Sequence, residues 1–90
     1  MKVIKIGAVW CNACNVMRPR WAKIEEKYDW LETTYYDYDE NNEEIDVYDL
    51  KEDVLPAFIF LSNKNEVLEI VYGEVSEDQI DELVSKYKDQ

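Results

Sequence analysis

An α/β chain in the order βαβαββα, with a four-stranded mixed sheet flanked by helices, is what this sequence predicts, on three observations. An apolar strand-like run at the start passes directly into a segment of helical period. Later, two strand-like runs are separated only by Asn63-Lys64-Asn65, which makes them a hairpin. At the end, a helix-start signature precedes one apolar stripe.

The opening run Val3-Ile4-Lys5-Ile6-Gly7-Ala8-Val9 is apolar on both alternating faces, as in a strand covered on both sides. From Asn12 to about Tyr28, Met17, Trp21, Ile24 and Tyr28 recur at steps of four, three and four, the spacing of one helix face. Pro19 falls inside that helix, removes one backbone hydrogen bond and predicts a kink between Asn15 and Pro19. Trp30 to Asp39, rich in Thr and Tyr, reads as the second strand and ends in the polar cluster Asp39-Glu40-Asn41-Asn42. A short helix is expected over about Glu43 to Leu50. Pro56 to Leu61 and Glu66 to Tyr72 form the hairpin strands. Ser76 with Gln79 is a capping-box pair, and Ile80, Leu83, Val84 and Tyr87 supply the stripe of the last helix.

Ninety residues are expected to form one domain over 1–90, with a modest core. A hydrophobic fraction of 47%, three Trp and seven Tyr argue against disorder. The net charge of −11, from 21 acidic against 10 basic residues, repels phosphate backbones and anionic lipid surfaces, so neither nucleic acid nor membrane is expected as a partner. Met1 leads almost directly into the first apolar run, with no signal-peptide pattern and no run long enough for a membrane span. A cytoplasmic location and a monomer are the expectation. Two cysteines are too few for a disulfide-stapled scaffold, and in a reducing compartment a lone pair is more often catalytic than structural.

Those two cysteines are Cys11 and Cys14, in Trp10-Cys11-Asn12-Ala13-Cys14, between a strand and a helix. A structural role for buried thiols is one reading. Zinc is a weaker one, because the chain has no histidine and no further cysteine to complete four ligands. Redox chemistry fits best, since thiols separated by two residues on a first helical turn can close a disulfide ring. At the helix N-terminus the backbone N–H groups and macrodipole favour a thiolate, so Cys11 is the expected nucleophile. Cys14, one turn deeper, is the expected resolving thiol. Cys11 would attack a substrate disulfide, and Cys14 would then attack the mixed disulfide, leaving a Cys11–Cys14 bridge. That redox-active disulfide takes the place of a cofactor, and none other is expected.

At these positions the chain resembles the thioredoxin family. Trp10-Cys11-Asn12-Ala13-Cys14 is similar to its Trp-Cys-x-x-Cys site, Pro19 to the proline within its active-site helix, Leu55-Pro56 to its hydrophobic residue and cis-proline, and Gly73 to the glycine after its last strand. The resemblance covers residues 2 to 88 and implies a minimal, glutaredoxin-sized thioredoxin-like fold without the family's extra N-terminal strand and helix. It further implies that Pro56 is cis beside the sulfurs, that the Leu55 backbone pairs with an extended substrate segment, and that Trp10 and Gly73 border the substrate. Proline suits that place, because only X-Pro bonds reach cis at modest cost and proline adds no competing N–H. Without the resemblance, an ordinary strand-initiating proline is the alternative reading of Pro56.

Two positions depart from the family pattern. Asn12-Ala13 replaces the usual Gly-Pro, a dipeptide that tunes redox potential across the family. Lys5, six residues before Cys11, stands where the family usually carries a buried acid that assists proton transfer. Beneath the cysteines, Lys5 would favour their thiolates or, neutral, accept the Cys14 proton. Alternatively its stem packs in the core while its ammonium reaches solvent or an acid such as Asp37. The run Asp37-x-Asp39-x-Asn41-x-Glu43 imitates the start of a calcium loop but has Asn42 at the glycine position and Tyr48 at the bidentate Glu position, so no metal site is expected.

The resemblance implies a protein-disulfide reductase acting on disulfide-containing proteins and served by a thioredoxin-reductase-like electron donor. A glutaredoxin-like, glutathione-dependent enzyme is the close rival. Here, however, Trp10, Asp53-Val54-Leu55-Pro56 and Gly73-Glu74 stand where that group holds anionic glutathione, and the charge of −11 disfavours it. A dedicated donor to ribonucleotide reductase is a further alternative. A non-catalytic interaction module that keeps the fold is the alternative from another class.

Overall fold

The structure, a computed structural model, describes residues 1–51 and 54–90. The elements are β1 (Lys2–Gly7), α1 (Asn12–Lys27), β2 (Glu32–Asp37), α2 (Asn42–Asp46), β3 (Ala57–Leu61), β4 (Val67–Tyr72) and α3 (Glu77–Tyr87). They follow the βαβαββα order in one sheet of strand order β2-β1-β3-β4. β1 pairs with β2 in parallel and with β3 antiparallel, and β3 pairs with β4 antiparallel, so the sheet is mixed.

The two central strands are the two most buried ones, and each feeds a core on both faces of the sheet. Val3 of β1 and Phe58 and Phe60 of β3 meet Met17, Trp21 and Ile24 of α1 and Ile80 and Val84 of α3. On the opposite face, Ile4, Ile6, Ala57, Ile59 and Leu61 are covered by Ile45 of α2 and by Tyr36 and Tyr48. The helical spacing expected of α1 is met: Met17, Trp21 and Ile24 are buried and Tyr28 half-buried. Pro19 lies exposed within α1, which continues to Lys27; with no N–H, it cannot bond the Asn15 carbonyl.

β1 stops at Gly7 rather than reaching Val9. The Cys11 N–H donates to the Ala8 carbonyl at 3.2 Å, closing a turn that leaves Val9 77% exposed. β2 is shorter than Trp30–Asp39 at both ends. Before it, the Leu31 N–H bonds the Tyr28 carbonyl in a turn; after it, Asp37 Oδ1 accepts the N–H groups of Asp39 and Glu40. That carboxylate is a turn cap, which accounts for the calcium-like start of this segment. α2 ends at Asp46, four residues short of Leu50. Asp46 and Asp49 at its C-terminal side oppose the helix dipole, and no basic residue in its last turn offsets them.

In the hairpin, Ser62 Oγ accepts the N–H groups of Lys64 and Glu66, and Asn65 takes the left-handed conformation (φ 64°) that Asn tolerates. Register then shifts by one residue: Leu61 faces Val67 while Phe60 faces Glu69. The extra residue, Leu68, thereby packs against the α1–α3 core. α3 starts on the capping box foreseen for it, Gln79 N–H to Ser76 Oγ at 3.1 Å and Ser76 N–H to Gln79 Oε1 at 3.0 Å. No helix of the described residues is long and apolar enough to cross a membrane.

Two substitutions test this framework. Ser76→Ala should cost about 1 kcal/mol of folding stability by removing the cap, and Phe60→Ala about 3–5 kcal/mol by opening a cavity between sheet and helices. Urea denaturation of the reduced protein measures both.

Candidate active site

β1 is an interior strand, paired on both sides, and the chain leaves it at Gly7 to begin α1 five residues later. Cys11 is the N-cap residue of α1, with extended backbone (φ −94°, ψ 111°). Its Sγ accepts the Cys14 N–H at 3.2 Å, the place a capping oxygen normally fills. A sulfur in that position faces the unpaired N–H groups of the first turn, where negative charge is favoured. The first turn of α1 holds no acidic side chain to compete for them.

Cys14 sits one turn inside. Both thiols are free and nearly buried, at 8% exposure for Cys11 and 5% for Cys14. Burial, first, and then the hydrogen bond and proximity of Cys11 push the Cys14 thiol from an ordinary 9.0 up to about 11. A backbone hydrogen bond from Ala8 and the charge of Arg18 oppose this more weakly. The two sulfurs are therefore inequivalent: one caps the helix, and the other is held as a neutral thiol through the physiological range.

Gly7 makes this burial possible. A Cβ on Gly7 would lie 3.1 Å from Cys14 Sγ and 3.3 Å from both Cys14 Cβ and Tyr35 Cε1. The sequence reading missed this residue. Its signal was available, because with only two glycines in the chain one stood at the end of the strand facing the cysteines.

The Leu55–Pro56 peptide is cis, as the family resemblance implied, and Pro56 is fully buried. Leu55 packs with Ala8, Cys11 and Cys14, and Pro56 lines one small cleft with Cys14. The Gly73 N–H donates to the Pro56 carbonyl at 2.7 Å, and Gly73 takes φ 80°, which glycine adopts without strain. Cys11, Cys14, Leu55 and Pro56 are thus one cluster, with Gly73 tied to it through the backbone.

Trp10 is 59% exposed beside the cysteines. Its indole N–H donates to Asp39 Oδ2 at 2.7 Å, and its ring meets Tyr38 edge-on, with centroids 6.5 Å apart. Asp39 and Tyr38 had no assigned part in the site on sequence grounds. Lys5 meets an acid, as one of its two readings expected, but a different one from Asp37. Its Nζ donates to Glu25 Oε1 of α1 at 3.1 Å, not to Asp37, and lies 5.8 Å from the Trp21 ring. Glu25 also accepts from the Thr33 hydroxyl. Lys5 does line the same cleft as Cys14, so the two expectations each hold in part: the residue is beneath the cysteines, while its charge is engaged by an acid. Asp53, one of the positions weighed against glutathione binding, lies outside the described residues.

A dithiol at a helix N-terminus, facing a cis-proline at the start of a central strand in a β2-β1-β3-β4 sheet, defines a thioredoxin-fold dithiol protein. Comparison with known proteins agrees. The family model described as Thioredoxin matches residues 1–86, and the chain belongs to the thioredoxin family. It is 34% identical over 71 residues to thioredoxin H5 of Oryza sativa subsp. japonica, covering 79% of this chain and 51% of that protein. The chain thus spans about half the length of this curated relative. Among solved structures, the reduced thioredoxin pre-protein of Schistosoma mansoni is similar with a TM-score of 0.82 at 27% identity, over 96% of this chain and 77% of that one. A mutant thioredoxin from Halobacterium salinarum has the same fold at a TM-score of 0.86 and 24% identity, over 99% of this chain and 75% of that one.

Two measurements follow from this geometry. Gly7→Ala should destabilise the reduced protein by about 1–3 kcal/mol through overpacking against Cys14, and should slow closure of the Cys11–Cys14 ring. Because the Cys14 pKa is raised in the folded state, its contribution to stability is complete below the unfolded value of 9.0 and is lost as pH rises to about 11. That loss is on the order of 2–3 kcal/mol. Urea midpoints of reduced parent and reduced Cys14→Ala across this range should diverge; parallel curves would contradict the assignment.

Proposed function

We propose that this protein is a thiol–disulfide oxidoreductase that reduces protein disulfides through Cys11 and Cys14. The observation that carries the reading is the inequality of the two sulfurs: Cys11 Sγ caps α1 and accepts the Cys14 N–H, while Cys14 is pushed up to about 11. Such a pair divides labour. Cys11, as thiolate, attacks one sulfur of a substrate disulfide; the S–S bond breaks, a Cys11–substrate disulfide forms, and the departing thiolate takes a proton from solvent. Cys14 then loses its proton and attacks Cys11 Sγ, releasing the second substrate thiol. Two electrons have passed to the substrate, and the chain is left with a Cys11–Cys14 disulfide.

The surroundings support an extended polypeptide as substrate. Trp10 and Val9 offer exposed apolar surface next to the nucleophile, and Leu55-Pro56 and Gly73 line the facing rim. In this reading the Leu55 backbone pairs with the substrate strand, and Trp10, Pro56 and Gly73 shape its path. The dithiol needs no cofactor. It does need an electron donor, for which a thioredoxin-reductase-like enzyme is the match to a protein with a net charge of −11, since that charge disfavours the glutathione anion. A reducing compartment such as the cytoplasm suits a lone, labile pair of this kind.

The test is reduction of a protein disulfide driven in parallel by NADPH with thioredoxin reductase and by glutathione with its reductase. Turnover is expected with the first. Efficient turnover with glutathione alone would establish the glutaredoxin-like alternative, and no turnover with either, nor with dithiothreitol, would favour a binding module. Cys14→Ser should accumulate the Cys11–substrate disulfide, visible by mass spectrometry, whereas Cys11→Ser should form no mixed disulfide.

A further inference from the structure

The chain entering Pro56 is shared between the dithiol cluster and a second recess. Leu55 packs against Cys11 and Cys14, and so does Tyr38. Both also line a groove of about 290 Å³ on the α2 side of the sheet, with Tyr48, Leu50, Asp46 and Asp49. A substrate strand that pairs with the Leu55 backbone therefore lies at one edge of this groove. Small-molecule sites usually span roughly 300–1,000 Å³, so the groove is sized for one long side chain of that strand rather than for a separate ligand.

Its charge is one-sided. Between Lys27 and Lys51 the sequence holds no basic residue, while Asp39, Glu40, Glu43 and Glu44 lead up to Asp46 and Asp49. Asp39 is held by the Trp10 indole N–H. Asp46 and Asp49 are exposed, and the ion pairs among the described residues engage Glu25, Glu69, Glu77 and Asp81 instead. Lys51, the cation that lines the groove among the described residues, has its Nζ 5.2 Å from the centroid of the Tyr72 ring, and its backbone N–H donates to the Tyr72 hydroxyl at 3.2 Å. An anionic side chain entering here would meet two carboxylates of its own sign. An apolar one would strip water from those carboxylates and give nothing back. A Lys or Arg fits both parts of the lining, because its methylene stem lies on apolar surface while its head forms charge-assisted hydrogen bonds.

We propose that this groove selects disulfide substrates that carry a Lys or Arg near the reacting cysteine, with the stem on Tyr48, Leu50 and Leu55 and the head at Asp46 and Asp49. The inference rests on the reductase reading above and names its substrate class, a polypeptide whose disulfide has a basic neighbour. Leu55 joins the two functions: its backbone pairs with the substrate strand, and its side chain lies between the sulfurs and the groove. Asp46 and Asp49 act on specificity and take no part in sulfur chemistry.

The test is single-turnover reduction of short disulfide peptides by excess reduced protein, quenched in acid and resolved by chromatography. The peptides differ in a single residue, Lys, Leu or Glu, placed within about three residues of a cysteine. Each rate is divided by that of dithiothreitol on the same peptide, which removes the peptide's own reactivity. At about 10 mM salt the Lys peptide should react about tenfold faster than the Glu peptide and faster than the Leu peptide, and the Lys-to-Glu ratio should fall toward one at about 1 M. At about 0.15 M salt, where exposed charges more than about 8 Å apart are largely screened, the parent should keep a ratio of about fivefold, and Asp46→Asn with Asp49→Asn should bring it to within about twofold of one. Asp78→Asn with Glu82→Gln removes the same charge from α3, on the opposite face of the sheet, and should keep the parental ratio. A Leu peptide faster than the Lys peptide, equal loss of the preference in both double variants, which marks steering by net charge, or equal rates for all peptides would each overturn this inference and leave the reductase reading standing. Failure to reduce any peptide or protein disulfide would overturn that reading and this inference with it.

Discussion

The close approach of α1 to the end of β1 at Gly7 is the contact on which the rest of the site depends. Cys14 reaches its buried position because the strand residue opposite has no side chain, with only 3.1 Å available to a Cβ before it meets sulfur. That approach also sets where the helix begins. The Ala8–Cys11 turn must close in the four residues between Gly7 and Asn12, and its closure puts Cys11 at the N-cap and Trp10 outside. Because β1 is hydrogen-bonded to strands on both sides, the thiol pair is mounted on one of the least deformable parts of the molecule.

Electrostatics divide α1 along its length. Its first turn is free of acidic side chains and presents backbone N–H groups to sulfur, while its far end is tied to neighbouring elements by ion pairs. Lys27 meets Asp81 and Lys23 approaches Glu77, both on α3; Glu25 holds Lys5 and the Thr33 hydroxyl across to the sheet. Exposed pairs of this kind add little stability individually. Their use here is orientation, since α1 must hold one rotation about its axis to keep Cys14, Trp21 and Met17 directed at the sheet. The Lys5–Glu25 pair has a second effect: the cation that lines the Cys14 cleft is turned toward a carboxylate of α1.

The strand and helix types were legible from residue pattern alone, because burial on two faces demands continuous apolar runs in β1 and β3 and because α1 and α3 each show one apolar stripe. Element ends were less legible. β1 and β2 stop where turn hydrogen bonds replace ladder bonds, at the Cys11–Ala8 bond and at the Asp37 side chain, and apolar content at Val9 or Tyr38 gives no sign of that. The bulge at Leu68 was equally hidden, since a one-residue register shift changes which face a side chain joins without changing composition.

Within the site, spacing sufficed for Cys11 and Cys14, because chemistry between two thiols one turn apart is a local property of the chain. The order of elements, and with it the placement of that pair at a strand-to-helix junction, was likewise contained in the sequence. Apart from Leu55 and Pro56, which the family resemblance had placed beside the sulfurs, what depends on residues distant in the chain was decided by the tertiary structure: Gly7 and Tyr35 against Cys14, Asp39 on Trp10, and Glu25 rather than Asp37 on Lys5. The physical reason is the same in each case. A thiol's neighbours in space set its burial and its proton traffic, and the sheet brings together neighbours that the linear order of residues keeps apart.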